Sequence, residues 1–166
     1  MHEAFSQDKV RASHLDREAC LYVRQSSPRQ VVEHGESGLR QRAVALGWQE
    51  ERIRVIDEDQ GKSGTLASNR SGFRDLMARV AAAEVGIVLA LEASRLARNN
   101  GDWSQLVQVA RITDTLILDE IAVYDPNYPP DMLVLGILGV LAEYELQNQR
   151  AHAGRAARAA AAGPGL

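Results

Sequence analysis

One cysteine, Cys20, is all that the 166 residues contain. That excludes an internal disulfide and any zinc site built from several cysteines. The four histidines, His2, His14, His34 and His152, have no ligand-like spacing, so neither a metal nor another cofactor is expected. No stretch is apolar enough to span a bilayer, and the first residues lack the cationic and then apolar order of an export signal. A cytoplasmic protein is the expectation. Positive charge is not in excess either: 19 Lys and Arg stand against 22 Asp and Glu, a net charge of −3. DNA-binding proteins usually carry a basic patch, so the total counts against nucleic acid. Total charge is not charge placement, however, and Arg24, Arg70, Arg95 and Arg98 can converge if the acidic residues lie elsewhere.

What is present is ordinary globular composition, 45% hydrophobic and 25% charged, in a length that suits one domain. The organising stretch is 19–27, ACLYVRQSS. Leu21 and Val23 alternate with Tyr22 and Arg24 among β-formers, which predicts a buried strand. Pro28 cannot donate to a ladder and keeps Ser27 from helical angles, so the strand ends here. An arginine followed two positions later by a serine then stands at the carboxyl end of a strand, where open α/β sheets bind ligands.

Before it, residues 1–18 are polar and aperiodic and read as a flexible arm. After it, residues 30–46 predict one or two short amphipathic helices, weakened by Gly35 and Gly38 and stopped at Gly47. Residues 53–56 alternate as a second strand. The polar stretch 57–70, DEDQGKSGTLASNR, is long enough to be functional or mobile. Its GKS at 61–63 is not a P-loop, because the glycine required five positions before Gly61 is Ile56. Residues 72–83 predict a helix, with Phe73, Leu76, Met77 and Val80 at helical spacing. Residues 85–91, VGIVLAL, form the continuous apolar run of a central parallel strand. The chain leaves it through Ser94, Arg95, Leu96, Ala97, Arg98 and Asn99, with the two arginines three apart as on one helical face.

A helix over 102–112, a strand over 115–118 and a short strand over 122–124 follow. From Asp131, a candidate N-cap, one long helix is predicted as far as Gly163-Pro164. Its first half is apolar nearly all round and so needs cover on more than one side. Gly136 and Gly139 cost about 1 kcal/mol each against alanine, and small residues admit a second helix closely. These features favour a subunit interface over simple packing on the helix's own sheet.

Four ordered pieces, YVRQSS at 22–27, DQGKSG with the following Asn69-Arg70-Ser71-Gly72-Phe73, SRLARN at 94–99 and LAEYELQNQR at 141–150, resemble the catalytic domain of serine recombinases, the resolvase and invertase family. The resemblance covers about residues 19–150. It implies an α/β fold, a mostly parallel sheet flanked by helices in three resolvase-like layers, followed by a long C-terminal oligomerisation helix. It implies that residues 19–130 are the catalytic domain, 131–162 the interface helix and 163–166 a tail. It also implies that Ser26 attacks a DNA phosphate and becomes a phosphoserine on the 5′ end, with Arg24, Arg70, Arg95 and Arg98 around that phosphate. Asp59 and Ser63 match polar residues of the loop, and Glu145 the glutamate of the long helix. Ser27 competes with Ser26, but the spacing from Arg24 favours Ser26. A further family arginine, placed to contact DNA, falls near Arg150 or His152.

The chemistry fits those residue types. Attack on a phosphodiester builds negative charge on non-bridging oxygens, and guanidinium groups offer paired donors at any relevant pH. Several arginines around one phosphate can take the part that metal ions play in other phosphoryl-transfer enzymes. A serine hydroxyl needs activation, and no histidine stands near Ser26, so the arginines and Asp59 are its candidates for help. The implied partners are double-stranded DNA and further copies of the chain, as dimers pairing into a tetramer through the long helix. Four departures stand out: Ser94 where the family's strand-exit motif usually has aspartate, Leu146 after Glu145 where arginine is common, a helix after the first strand (ESGLRQRAVALGW) shorter than usual by about two turns, and an end without helix-turn-helix or zinc-ligand pattern. The last two keep open a catalytically degenerate assembly or regulatory module of the same fold. An unrelated α/β enzyme acting on a phosphorylated small molecule is the third reading.

Overall fold

The computed structural model describes residues 8–24, 29–58, 71–91 and 100–163. In chain order they form α1 (Ala12–Leu15), β1 (Glu18–Arg24), α2 (Arg29–Leu46), a 3₁₀ turn (Glu50–Arg52), β2 (Ile53–Glu58) and α3 (Ser71–Ala81). Then come β3 (Val85–Leu89), α4 (Asn100–Ile112), β4 (Leu116–Leu118), β5 (Val123–Tyr124) and α5 (Pro129–Ala162). The strands make one sheet in the order β2-β1-β3-β4-β5, parallel except for β5, which runs antiparallel to β4.

The two-residue period of the strands divides the core into two layers. Cys20, Tyr22, Val88 and Ile117 face α3 and α4, where Phe73, Leu76, Trp103 and Leu106 cover them, joined by Leu135 of α5. Ala19, Leu21, Ile87, Leu89 and Leu118 face the other way, against Leu39 and Ala43 of α2 and Trp48. The three predicted layers are therefore present. Burial pushes the Cys20 thiol up to about 12, as befits a small core residue. The sheet edges are protected: β5 is two residues long, and β2 exposes Arg54, whose guanidinium pairs with Glu18 at 2.9 Å.

α2, α3 and α4 stop in the same way. Gly47, Ala83 and Asp114 have positive φ (119°, 60° and 53°), and the next amide donates back five residues. These bonds run from Trp48 to the Ala43 carbonyl, from Glu84 to Arg79 and from Thr115 to Ala110. Each satisfies a helix-end carbonyl that would otherwise lack a partner.

Three sequence expectations are corrected. Residues 8–18 are not a free arm: His14 is fully buried, and Gly86 lies so close beneath the His14 backbone that a Cβ there would overlap it. Arg17 donates to the carbonyls of Val85 (2.9 Å), Thr113 (2.9 Å) and Asp114 (2.6 Å). Lys9 donates to the Val123 carbonyl at 2.8 Å and pairs with Asp131 at 2.9 Å. Polar anchors hold this segment together with the partly buried Val10 and Leu15, too few apolar residues to set a period. Second, α2 runs for 18 residues straight through Gly35 and Gly38 rather than breaking there. Third, Asp131 is not the N-cap of the long helix. Tyr128 is, with Pro129 and Pro130 opening the helix, where a missing N–H costs nothing. Asp131 sits in the first turn and accepts the Asp125 amide at 2.9 Å.

Candidate active site

β1 and β2 end flush, with Arg24 opposite Glu58, and β3 pairs Leu89 with Leu21. Because β1 to β4 are parallel, α2, α3 and α4 must each return against the strand direction to feed the next strand. The carboxyl ends of β1, β2 and β3 and the amino ends of α2, α3 and α4 therefore share one edge of the sheet. Helix amino ends present free N–H groups and the positive end of the macrodipole, which favours an anion there.

Of the expected site residues, three fall within the described residues. Arg24 is the last residue of β1. Ser26, Ser27, Asp59, Ser63, Arg70, Arg95 and Arg98 lie outside the described residues, within 25–28, 59–70 and 92–99. Glu145 and Arg150 are exposed on α5. Glu145 follows by two residues Glu143, whose Oε2 accepts the backbone N–H of Asn100, the first residue of α4, at 3.0 Å. That contact brings this part of α5 beside the point where the chain returns from 92–99.

Several contacts firm up the surroundings of the edge. A Cβ at Gly35 would overlap the Leu91 side chain, so α2 approaches the end of β3 closely because that residue is glycine. The Ala90 amide donates to the Leu118 carbonyl at 3.0 Å, extending the ladder past β3. Beyond β4, Asp119 is buried and accepts the amides of Ile121 (2.8 Å) and Ala122 (2.9 Å). The Tyr124 hydroxyl donates to its second oxygen at 3.2 Å, and burial with this carboxylate pushes the tyrosine up to about 12. Arg42 of α2 donates to the Asp119 carbonyl at 2.6 Å, tying the helix to the same corner. The sequence reading missed Glu143, because a carboxylate capping a helix 43 residues away has no local signature. Among the described residues no group of three His, Cys, Asp or Glu is placed to hold a metal ion. No helix among them is long and apolar enough to cross a membrane.

A mostly parallel sheet between two helical layers, followed by a long terminal helix, defines a three-layer α/β class. The chain belongs to the resolvase family of serine recombinases: the model for "Resolvase, N terminal domain" matches residues 19–164. A curated relative from Sinorhizobium fredii (strain NBRC 101917 / NGR234), described as uncharacterized protein y4bA/y4pH, is 54% identical over 143 residues, 83% of this chain. The aligned part is 21% of that relative, so the chain spans about a fifth of its length. Solved structures share the fold. A resolvase family site-specific recombinase from Streptococcus pneumoniae has a TM-score of 0.57 at 23% identity, covering 87% of this chain and 98% of that one. The N-terminal catalytic domain of TP901-1 integrase has a TM-score of 0.55 at 20% identity, covering 80% and 99%.

Proposed function

We propose that residues 19–130 are the catalytic domain of a site-specific DNA recombinase that cuts and rejoins double-stranded DNA through Ser26. The observation that best supports this reading is the shared sheet edge: Arg24 ends β1 there, and the chain continues from it into 59–70 and 92–99, the stretches whose sequence carries Arg70, Arg95 and Arg98. In the proposed reaction Ser26 Oγ bonds to phosphorus as the bond from phosphorus to the 3′ oxygen breaks. The serine proton leaves, with Asp59 the candidate acceptor, and the freed 3′ oxygen takes one up. The phosphoserine retains the bond energy, so attack by another 3′ hydroxyl rejoins DNA and returns the proton without ATP. Arg24, Arg70, Arg95 and Arg98 neutralise the oxygens of the five-coordinate phosphorus. Ser63 and Glu145 hold polar positions of the site, and Arg150 contacts the DNA backbone, where a cation adds affinity without sequence preference.

Residues 131–162 form the interface through which chains pair as dimers and tetramers. Leu133, Ile137, Val140 and Tyr144 of α5 are each more than half exposed, at steps of four, three and four. That is the seam spacing of paired helices, and a second copy of α5 supplies the matching surface.

The test is a nicked DNA substrate that traps the intermediate, with the chain fused to a DNA-binding module. Protein-linked DNA with the unaltered chain, and none with Ser26→Ala, is the expected result. No adduct under any condition favours the assembly-module reading, and an adduct mapped to Ser27 reassigns the nucleophile.

A further inference from the structure

Leu135, Gly139 and Glu143 follow one another at four-residue intervals along α5, and all three meet the first turn of α4. The Leu135 carbonyl accepts the Trp103 indole N–H at 2.6 Å. Gly139 lies where a Cβ would overlap Trp103 and crowd the Asn100 side chain. Glu143 accepts the Asn100 amide at 3.0 Å. The amide of a helix's first residue has no partner within its own helix, and a carboxylate there also meets the positive end of the dipole. Asn100 comes two residues after Arg98.

We infer that Glu143 is a positioning residue: it fixes the start of α4, and with it the point at which the Arg95 and Arg98 stretch rejoins the fold. The inference rests on the proposed function for its consequence in catalysis and on the α4–α5 contacts for its geometry. One face of α5 thus grips the return point of the arginine stretch while the opposite face carries the exposed apolar stripe. The helix proposed to meet partner chains is in this way tied to the start of α4 through a carboxylate on its own surface.

Two variants test it in the trapping assay. Glu143→Ala removes the acceptor, and Glu143→Gln keeps an acceptor oxygen without the charge. At saturating DNA, Glu143→Ala should form adduct at least tenfold more slowly with DNA affinity within twofold of the unaltered chain. Glu143→Gln should recover to within threefold, and both should melt within a few degrees of the unaltered chain. An Ala variant within twofold of the unaltered rate, or a Gln variant as slow as Ala, overturns the inference. Amide exchange of Asn100 decides it separately from catalysis. Exchange should quicken at least tenfold in Glu143→Ala and return in Glu143→Gln, and unchanged exchange overturns the inference even where adduct forms. An unaltered chain that forms no adduct defeats the proposed function and leaves the exchange result to judge Glu143.

Discussion

Trp103 and Leu135 are joined by a 2.6 Å hydrogen bond from the indole N–H to a carbonyl inside α5, in a fully buried seam. A helix carbonyl normally serves only its own helix, so this one accepts a second donor through its other lone pair. Gly139 stands one turn further along and lets the ring approach the helix closely, where a Cβ would overlap it. The glycine that reads in sequence as a sign of an intermolecular interface is thus used within the chain. Gly136, with nothing within 4 Å of a would-be Cβ, is the one left facing outward.

The two glycines should therefore respond in opposite ways to alanine. Gly139→Ala drives a methyl group into Trp103 and is expected to cost about 1–3 kcal/mol, as overpacking does. Gly136→Ala meets open space in a helix interior and should stabilise by up to about 1 kcal/mol. Trp103→Phe keeps a ring but removes the donor, at a cost of about 1–2 kcal/mol. Urea unfolding of the three variants at low protein concentration measures all of these.

Ala83 holds φ at 60° after α3 and is exposed, so its methyl group is strained and packs on nothing that glycine would lose. Ala83→Gly should raise stability by about 0.5–1 kcal/mol, since left-handed geometry costs an L-residue about 1–2 kcal/mol and glycine's added chain freedom takes back part of the gain. Thermal melting is the measurement, and an unchanged or lower midpoint contradicts the expectation.

How far the fold was legible follows from which residues carry it. β1 and β3 were plain because both faces are buried and every position is apolar or alternates, as in 19–23 and 85–89. The α4 and α5 helices were plain from length and apolar content. What escaped were features held by single long-range polar contacts: Arg17 on three carbonyls, Lys9 on Asp131, Glu143 on Asn100. No periodic signal accompanies such anchors. The candidate site was legible only as ordered motifs, because Ser26, Arg70 and Arg95 belong to polar stretches without periodicity. The fold accounts for the edge those stretches leave from and not for their chemistry.

Acid should loosen the amino-terminal segment before it unfolds the rest of the chain. His14 Nδ1 accepts the Arg11 amide at 2.9 Å, so that nitrogen carries no proton, and Nε2 faces Asp114 at 3.4 Å. Burial holds its pKa below the ordinary 6.5; Asp114 opposes this, while Arg11 and Arg17 reinforce it. A histidine lowered in the folded state leaves the unfolded chain binding the extra proton as pH falls through 6.5, so stability is full above that value and declines below it. Glu18, held low by its hydrogen bond to Arg54, adds its own loss only as pH falls below about 4.5. Unfolding midpoints should thus fall between pH 7 and about 5, in the histidine range. His14→Asn, which keeps an acceptor for Arg11 but cannot titrate, should flatten that slope while lowering stability at neutral pH. An equally steep slope in the variant would assign it elsewhere.

The outward stripe of α5 makes the last prediction. Val140 lies in the middle of the stripe, between Ile137 and Tyr144, and is 60% exposed. Within one chain a charge there stays in water, so Val140→Glu should leave the melting temperature of dilute protein nearly unchanged. Between two chains the same carboxylate would be buried without a partner, close to its symmetry mate, and an uncompensated buried charge costs several kcal/mol. Self-association measured by sedimentation should accordingly weaken at least a hundredfold, since each 1.4 kcal/mol is a factor of ten. Gln149→Glu adds the same charge on the opposite face of the helix, where the residue is exposed, and should have little effect. If both variants associate as the unaltered chain does, the apolar stripe is not the surface through which copies meet, and the spacing of Leu133, Ile137, Val140 and Tyr144 needs another partner.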